Sequence, residues 1–498
     1  MKRQKIRENR PEGQPKSTAE KWKNQSHEKS LIIKELRKRN SELTKSRDNW
    51  KIKYQSVRKL SLNKGTLAGH KAKHHQYALS VVMWVMYLQN YGKMSLRSCR
   101  HCIKSLYLVM GLRGRIPSHE SIRIWLIKQG YYRVQESMKR TDTRVLYVDE
   151  SIVLGGEKIL LILGIAAAKI PTSRSVSHED VEVLYVGSAK EWKGEQIAAI
   201  LAKISSVNAV PYVVSDQGTN LKKAYSLCKY VHIEDCTHVL SNYLKHIYEN
   251  DGSFIEFSKL IGVLRKAWFL SKEKSEFMPP SMRGKLRFAN IFPCVEWAKK
   301  QLKNWEKLDP SVTEKLTFLK DNQGFIEELL EVTKIFKTVC EILKNQGFGD
   351  TQKSLILEQL PTDSKFKNVA TFVQNIKNYL DNLDQKRKRI DTDLLLCSSD
   401  IIESFFGKFK QKICQNNPQK MTEFIFTIAN FSNQFSQEET QNALEFITVK
   451  DVKKVKIRHL FDPNFYRRLD SLSQSIQIYR QRVSKSFVLR QNTWSTST

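Results

Sequence analysis

The sequence predicts an α/β core interrupted by an α-helical insertion and preceded by a helical region. Three observations predict it. Short β-type runs bounded by turn residues fall in one block, residues 144–233. Apolar residues recur at helix spacing before that block and for about 150 residues after it. Gly and Pro number only 20 and 12 among 498 residues. That is about half the usual share, so little interrupts the helices.

Composition narrows the function class. The 84 Lys and Arg exceed the 51 Asp and Glu by 33 charges. Such an excess disfavours a small-metabolite enzyme and points to a polyanion as partner, above all nucleic acid. A hydrophobic share of 40% is enough for ordinary cores and excludes a disordered basic chain. Eight cysteines are too sparse for a disulfide framework. The longest apolar runs, residues 79–88 and 159–168, fall short of the ~20 residues of a spanning helix, so no membrane is expected. The N-terminus is polar and basic, with no signal-peptide pattern. The expected location is the bacterial cytoplasm with the nucleoid, or the nucleus in a eukaryote.

The elements follow in order. Residues 1–62 form a basic arm and a helix. Residues 1–60 hold 19 Lys or Arg against 7 Asp or Glu, and Pro11, Gly13 and Pro15 mark the arm. Leu36, Leu43, Trp50 and Val57 recur every seven residues, with Ile33, Asn40 and Tyr54 at partner positions. That is a short coiled-coil pattern in which Asn40 would fix register. Arg47 breaks the partner row, and a solvated basic helix is an equal reading. Residues 70–138 read as a helical DNA-binding module. Its helices run over 77–88, 96–110 and from Ser118 onward, where Ser118 and Ser121 can cap. With a basic turn at Arg113 and Arg115 it fits a helix-turn-helix. Ser118, Ser121 and Arg123 would face the groove; a plain three-helix bundle is the alternative.

Strands follow at 144–148, 159–170, 181–186, 210–214 and 231–233, with helices at 196–204 and 222–228. The order is a three-stranded meander, helix, strand, helix, strand, in one sheet. Residues 140–238 thus form the first part of the core, and 239–393 the helical insertion. Lys386, Arg387, Lys388 and Arg389 make a basic block near its end. Residues 394–448 close the core with a helix over 399–413, and 449–498 are a basic tail.

Two strands end in acids, Asp149 and Asp216, and a third acid, Glu403, opens a later helix. Strand ends and helix N-termini are where an α/β sheet presents a ligand site. Three carboxylates gathered there would repel one another unless a cation sat between them. Hard oxygen ligands select Mg²⁺ or Mn²⁺, and two such ions suit phosphodiester chemistry. Each acid also has a plain reading. Asp149 and Asp216 could start turns, and Glu403 could complete a capping box with Asp400.

The order strand–Asp149, two strands, helix, strand–Asp216, helical insertion, helix–Glu403 resembles the ribonuclease H-like catalytic domain of DDE transposases. The separations are 67 residues from Asp149 to Asp216 and 187 from Asp216 to Glu403. The long second gap resembles members with a helical insertion. Asp235, Cys236, Thr237 and His238 resemble the Cys/Asp-x-x-His motif of the Mutator-like and hAT-like groups. The stretch 215–224 resembles their Asp-Gly helix entry, with Gln217 as an inserted departure. Lys410 follows Glu403 by seven residues, as a basic residue does in several transposases and integrases, and two helical turns put both on one face.

The resemblance covers roughly residues 140–415. It implies a nuclease and strand transferase that cuts and joins transposon ends on double-stranded DNA, as at least a dimer. Asp149, Asp216 and Glu403 would be catalytic and would hold Mg²⁺ or Mn²⁺. Asp149 rather than Glu150 would be the first ligand, and His238 and Asp235 would be auxiliary. Lys410, Lys408, the block 386–389, Arg113, Arg115 and Arg123 would contact DNA. A Mg²⁺-dependent nuclease or resolvase, and a non-catalytic DNA-binding protein on the same fold, are the competing functions.

Other candidates carry less. Cys99, His101 and Cys102 have metal-type spacing but no second pair nearby, and buried cysteines in a helix fit as well. Cys228, Cys236 and His238 could form a metal site with one of those residues. His70, His74 and His75 read as a solvated linker. Trp268, Trp297 and Trp305 lie in the insertion, where an aromatic can hold a flipped base; core packing is the simpler role.

Overall fold

The computed structural model describes residues 18–61, 70–112, 114–152, 157–269, 277–281, 288–416 and 423–454. Val57 and Tyr54 of the heptad pattern, Arg113, and the tail beyond 454 have side chains outside the described residues. The protein divides into two compact units. One holds α1 (Thr18–Ser61) and residues 102–116; the other holds the rest.

No Gly or Pro interrupts α1 over its 44 residues, and its described side chains, 22–52, are all exposed. The second unit begins with α2 (Leu79–Asn90). Next, α3 (Leu96–Val109) crosses the unit boundary, and α4 (His119–Lys139) returns to the second unit. Ser118 caps α4 as expected, its Oγ accepting the Ser121 N–H at 3.0 Å.

Residues 70–138 do not form a separate module. α4 packs on the sheet, on α2 and on the 3-10 segment Glu423–Phe431 from the far end of the chain. The approach is so close that a Cβ at Gly130 would collide with the Phe426 carbonyl. Arg133 is buried there, its guanidinium bonded to Glu439 and to the carbonyls of Asn433 and Gln434. Nor is His75 a solvated linker residue: its Nε2 meets the Leu444 carbonyl at 3.2 Å, and burial lowers its pKa.

The sheet has five strands, β1 (Arg144–Ile152), β2 (Lys158–Ala166), β3 (Glu182–Ala189), β4 (Tyr212–Ser215) and β5 (Val231–Glu234). Their order is β3-β2-β1-β4-β5. β2 runs antiparallel to β1 and β3, while β4 and β5 lie parallel to β1. The expected meander is present, and the helices α5 (Gly194–Ser205) and α6 (Thr219–Cys228) make the parallel crossovers. Leu146, Val148, Leu160, Ile162 and Val213 face these two helices and form a core with Ile197, Leu201, Leu221 and Ala224. Strand alternation sends Tyr147 and Tyr212 to the opposite face.

The insertion is mainly helical over its described residues. It comprises α7 (Cys236–Tyr248), α8 (Gly252–Phe269), α9 (Phe292–Lys303), α10 (Pro310–Asp321), α11 (Gln323–Gln346), α12 (Asp350–Gln359) and α13 (Lys367–Ile390). α11 packs on α7, α9, α12 and α13, and α13 reaches β5. Trp268 and Trp297 are buried in its core. Trp305 is half-buried under the Lys320 ammonium, 4.3 Å from its ring centre. After it come α14 (Asp400–Asn416), which packs on β1, then α15 (Gln437–Phe446) and α16 (Val449–Lys454). No helix among the described residues is long and apolar enough to cross a membrane.

Candidate active site

Two strand ends place the first two acids. β1 pairs with β4 at Leu146–Val213 and Tyr147–Val214. Asp149 and Asp216 each lie two residues beyond that last pair, so the parallel register sets them side by side, on the face of Tyr147 and Val214. β1 itself does not end there. It stays paired with β2 as far as Ile152 opposite Lys158, so Asp149 sits inside a strand and only its β4 neighbour stops. Glu150 falls on the other face and pairs with Lys158 at 3.0 Å, which leaves Asp149 as the acid turned toward α14.

The helix α14 brings the third acid. Glu403 is in its first turn, exposed, on the helix that packs against β1. The electrostatics of Asp149 register this gathering. Burial, then the charge of Asp216, then that of Glu403 push its carboxyl up to about 8, against the pull of the Glu150 N–H on its Oδ1 at 2.7 Å. Asp216 is held by its own turn, Oδ1 accepting the Gly218 N–H at 2.9 Å just before α6. The inserted Gln217 is absorbed by a bridge, donating to Glu234 at 2.9 Å and accepting from Asn242 at 3.1 Å. Three carboxylates are a hard-oxygen donor set of the kind Mg²⁺ or Mn²⁺ takes. Among the described residues, no three acid, His or Cys side chains are drawn as close as a formed metal site would be.

Asp235 has the opposite surroundings. It is buried, and its oxygens take three donors: the His238 N–H on Oδ1 at 3.0 Å, and the Ser399 N–H and hydroxyl on Oδ2 at 2.7 and 3.0 Å. Beside it the Cys236 N–H donates to the Cys397 carbonyl at 2.8 Å, and the Leu396 N–H to Tyr212 Oη at 3.0 Å. Asp235 therefore caps α7 and clasps the segment that enters α14, one turn before Glu403. The ring of His238 stands beside this carboxylate, Nδ1 3.8 Å from Oδ1. Asp400 does not act as an N-cap; it lies in the first turn of α14 and pairs with Lys344 at 2.7 Å.

His178, on the connection from β2 to β3, escaped the sequence reading because nothing periodic marks it. Its ring stacks on Phe405 at 4.7 Å, and its Nε2 lies 3.3 Å from the Ser404 hydroxyl. Burial and the Lys408 charge bring its pKa down to about 4, so it is neutral. It braces α14 at the two residues that follow Glu403.

The predicted DNA contacts separate. Lys410 is exposed, and Lys408 is half-buried, its pKa lowered by burial and by Lys93. The block on α13 splits because successive helix residues turn by about 100°. Arg387 is buried and bonded to Asp350 and Asp384, so it is structural and not a DNA contact. Lys386 faces Glu234 at 3.9 Å, Lys388 is exposed but paired with Asp384 at 2.8 Å, and Arg389 is exposed. Arg115 is in the first unit, while Arg123 pairs with Glu120 at 2.6 Å. Ser118 and Ser121 serve the cap of α4 rather than a groove. No known protein-family model matches the chain, and no curated protein matches it.

Proposed function

We propose that this protein is a DDE-type DNA transposase built on a ribonuclease H-like core, cutting and joining the duplex ends of its own element. The observation that carries the reading is the parallel register of β1 and β4, which sets Asp149 beside Asp216 just past the end of β4, with Glu403 close enough to raise the Asp149 carboxyl. The strand order with an antiparallel second strand supports the fold half of it. Asp149, Asp216 and Glu403 would hold Mg²⁺ or Mn²⁺, which supplies an activated oxygen nucleophile and neutralises charge on the leaving oxygen.

The chain's own residues do the rest. Asp149 is fixed by the Glu150 N–H and Asp216 by the Gly218 N–H, so two ligands need little ordering. Glu403 is delivered by a helix that Asp235 clasps and His178 braces. Lys410 lies two turns along from Glu403 and is exposed, a place from which its ammonium can hold a phosphate. Lys408 and Arg389 add cationic surface, and the excess of 33 positive charges makes binding steeply salt-dependent.

The test is cleavage of a duplex carrying an element end, in Mg²⁺. Asp149→Ala, Asp216→Ala and Glu403→Ala should each abolish cleavage and joining while leaving retention of the duplex on a gel unchanged. Cleavage that survives in Asp216→Ala or Glu403→Ala overturns the site. Cleavage without joining, in an otherwise competent protein, replaces the transposase with a nuclease on the same site.

A further inference from the structure

The first unit carries a surface that the catalytic reading leaves unused. Along α1, Trp22, Ile33, Leu36 and Leu43 are 66%, 49%, 60% and 65% exposed. They share one face: Leu36 and Leu43 are a heptad apart, Trp22 is two heptads before Leu36, and Ile33 is three residues ahead of Leu36. Ser26, Lys29, Asn40 and Arg47 interrupt the row at the intervening heptad positions, so it is a broken apolar stripe along a 44-residue helix, spaced as a coiled-coil seam is.

The residues beside the seam say what would pair with it. With Ile33 and Leu36 as its core positions, the flanking positions are Lys23, Gln25, Ser30, Ile32, Arg37, Arg39, Thr44, Ser46 and Lys51. Four are cations and none is an acid. The helix does own acids, but Glu28, Glu35 and Glu42 repeat on the outer face, away from the seam. Lys29 and Arg47 put two more cations into the seam itself, Arg47 with its guanidinium turned to the neighbouring Asp48 at 3.0 Å. A second copy of α1 would meet these charges with the same charges. In a parallel pair Arg47 would face Arg47, and no flanking ion pair would form in either orientation. Duplex DNA would satisfy the cations but leave the leucines in water.

We infer that the α1 seam pairs with an acidic amphipathic helix of another protein, one with an apolar heptad row flanked by Glu or Asp. The apolar row supplies the buried contact, and the basic flanks select the partner by sign. This goes beyond the transposase reading and stands whether or not the sheet cuts DNA.

The experiment uses the full-length protein and a labelled synthetic peptide of four heptads, Leu at the seam and Glu at the flanks, followed by fluorescence anisotropy. Saturable binding is expected. A peptide of the same composition with its Leu positions scrambled, and one with Lys at the flanks, should each bind at least tenfold more weakly. The double variant Leu36→Asp, Leu43→Asp should lose at least tenfold for the Glu peptide. The triple reversal Arg37→Glu, Arg39→Glu, Lys51→Glu should move preference to the Lys peptide. Equal binding of the scrambled peptide overturns the inference, because charge alone then explains it. A dimer in sedimentation that Leu36→Asp, Leu43→Asp dissolves overturns it in favour of a second copy. Displacement of the Glu peptide by duplex DNA, undiminished in that leucine variant, assigns the surface to DNA instead.

Discussion

Asp149 and Asp235 stand at the same end of one sheet and have opposite surroundings. Asp235 takes three hydrogen bonds and lies in the core. Among the described residues Asp149 receives one, from its own neighbour's N–H, and faces the charges of Asp216 and Glu403. A carboxylate met by donors holds a structure together. One met by other carboxylates gives up its charge instead: burial and repulsion raise its pKa, and such perturbed groups cluster at functional sites. The contrast separates the residue that builds the site from the residue that uses it.

The largest effect that sharpens this contrast comes from Asp149→Asn. It keeps the shape and removes the charge. Cleavage should fall about a thousandfold or more, the scale of several kcal/mol of lost charge stabilisation. Folding should be unimpaired, and the Tm measured in EDTA at pH 8 should be equal or higher, because the repulsion is gone. Added Mg²⁺ should raise the Tm of the wild-type protein and leave that of Asp149→Asn unmoved. A variant that unfolds instead would put Asp149 in the class of Asp235.

Asp235→Ala should behave the other way. It strands the Ser399 N–H and hydroxyl and the His238 N–H among buried groups, at a cost of about 2–4 kcal/mol. Denaturant unfolding measures that loss. Because the clasp sets where α14 begins, the surviving fold should also need more Mg²⁺ for half-maximal cleavage. Unchanged Mg²⁺ dependence would make Asp235 a stability residue alone.

The next effect concerns the far end of α14. Lys412 is buried, donates to Asn90 Oδ1 at 2.9 Å, and lies 4.8 Å from the Phe431 ring centre. Burial brings its pKa from 10.5 down to about 7. Between those values the unfolded chain carries the proton and the folded one does not, so stability rises as pH rises from 7 to 10.5. Below 7 both are charged and the penalty is constant. Lys412→Met should flatten that slope and raise the Tm at pH 7 by roughly 2–5 °C. An unchanged slope would mean that another group titrates there.

Much of this was legible in the sequence, for reasons particular residues make plain. The sheet was readable because its strands are short continuous apolar runs such as Val145 to Val148, buried on both faces, and Asp149 and Asp216 stand where such a run meets an acid. Their side-by-side placement needed the parallel register of β1 with β4, which no local pattern encodes. The clasp joins Asp235 to Ser399 across 164 residues, and only its Asp235 end carries a motif. The block at 386–389 misled because a run of cations in a sequence becomes a ring of directions on a helix; Arg387 faces inward and Arg389 outward. Residues 70–138 looked like a module because Ser95 and Ser118 can each open a helix there, yet the apolar faces of α2 and α4 are covered by residues 423–446, which no nearby sequence announces.

The smallest effect tests the brace rather than the clasp. His178 touches α14 by stacking on Phe405 and by its contact with the Ser404 hydroxyl. With its pKa near 4, the folded ring sheds its proton well below the ordinary histidine value of 6.5. Its contribution is therefore complete above 6.5 and lost as pH falls toward 4, since there the unfolded chain binds the proton first. His178→Ala should cost about 1 kcal/mol of stability and remove that acid-side dependence. His178→Phe keeps a ring over Phe405 and gives up the hydroxyl contact. If stacking is what holds the first turns of α14, Phe restores both the stability and the cleavage that Ala loses. If the hydroxyl contact matters more, Phe restores stability alone, and the placement of Glu403 depends on Ser404 being held.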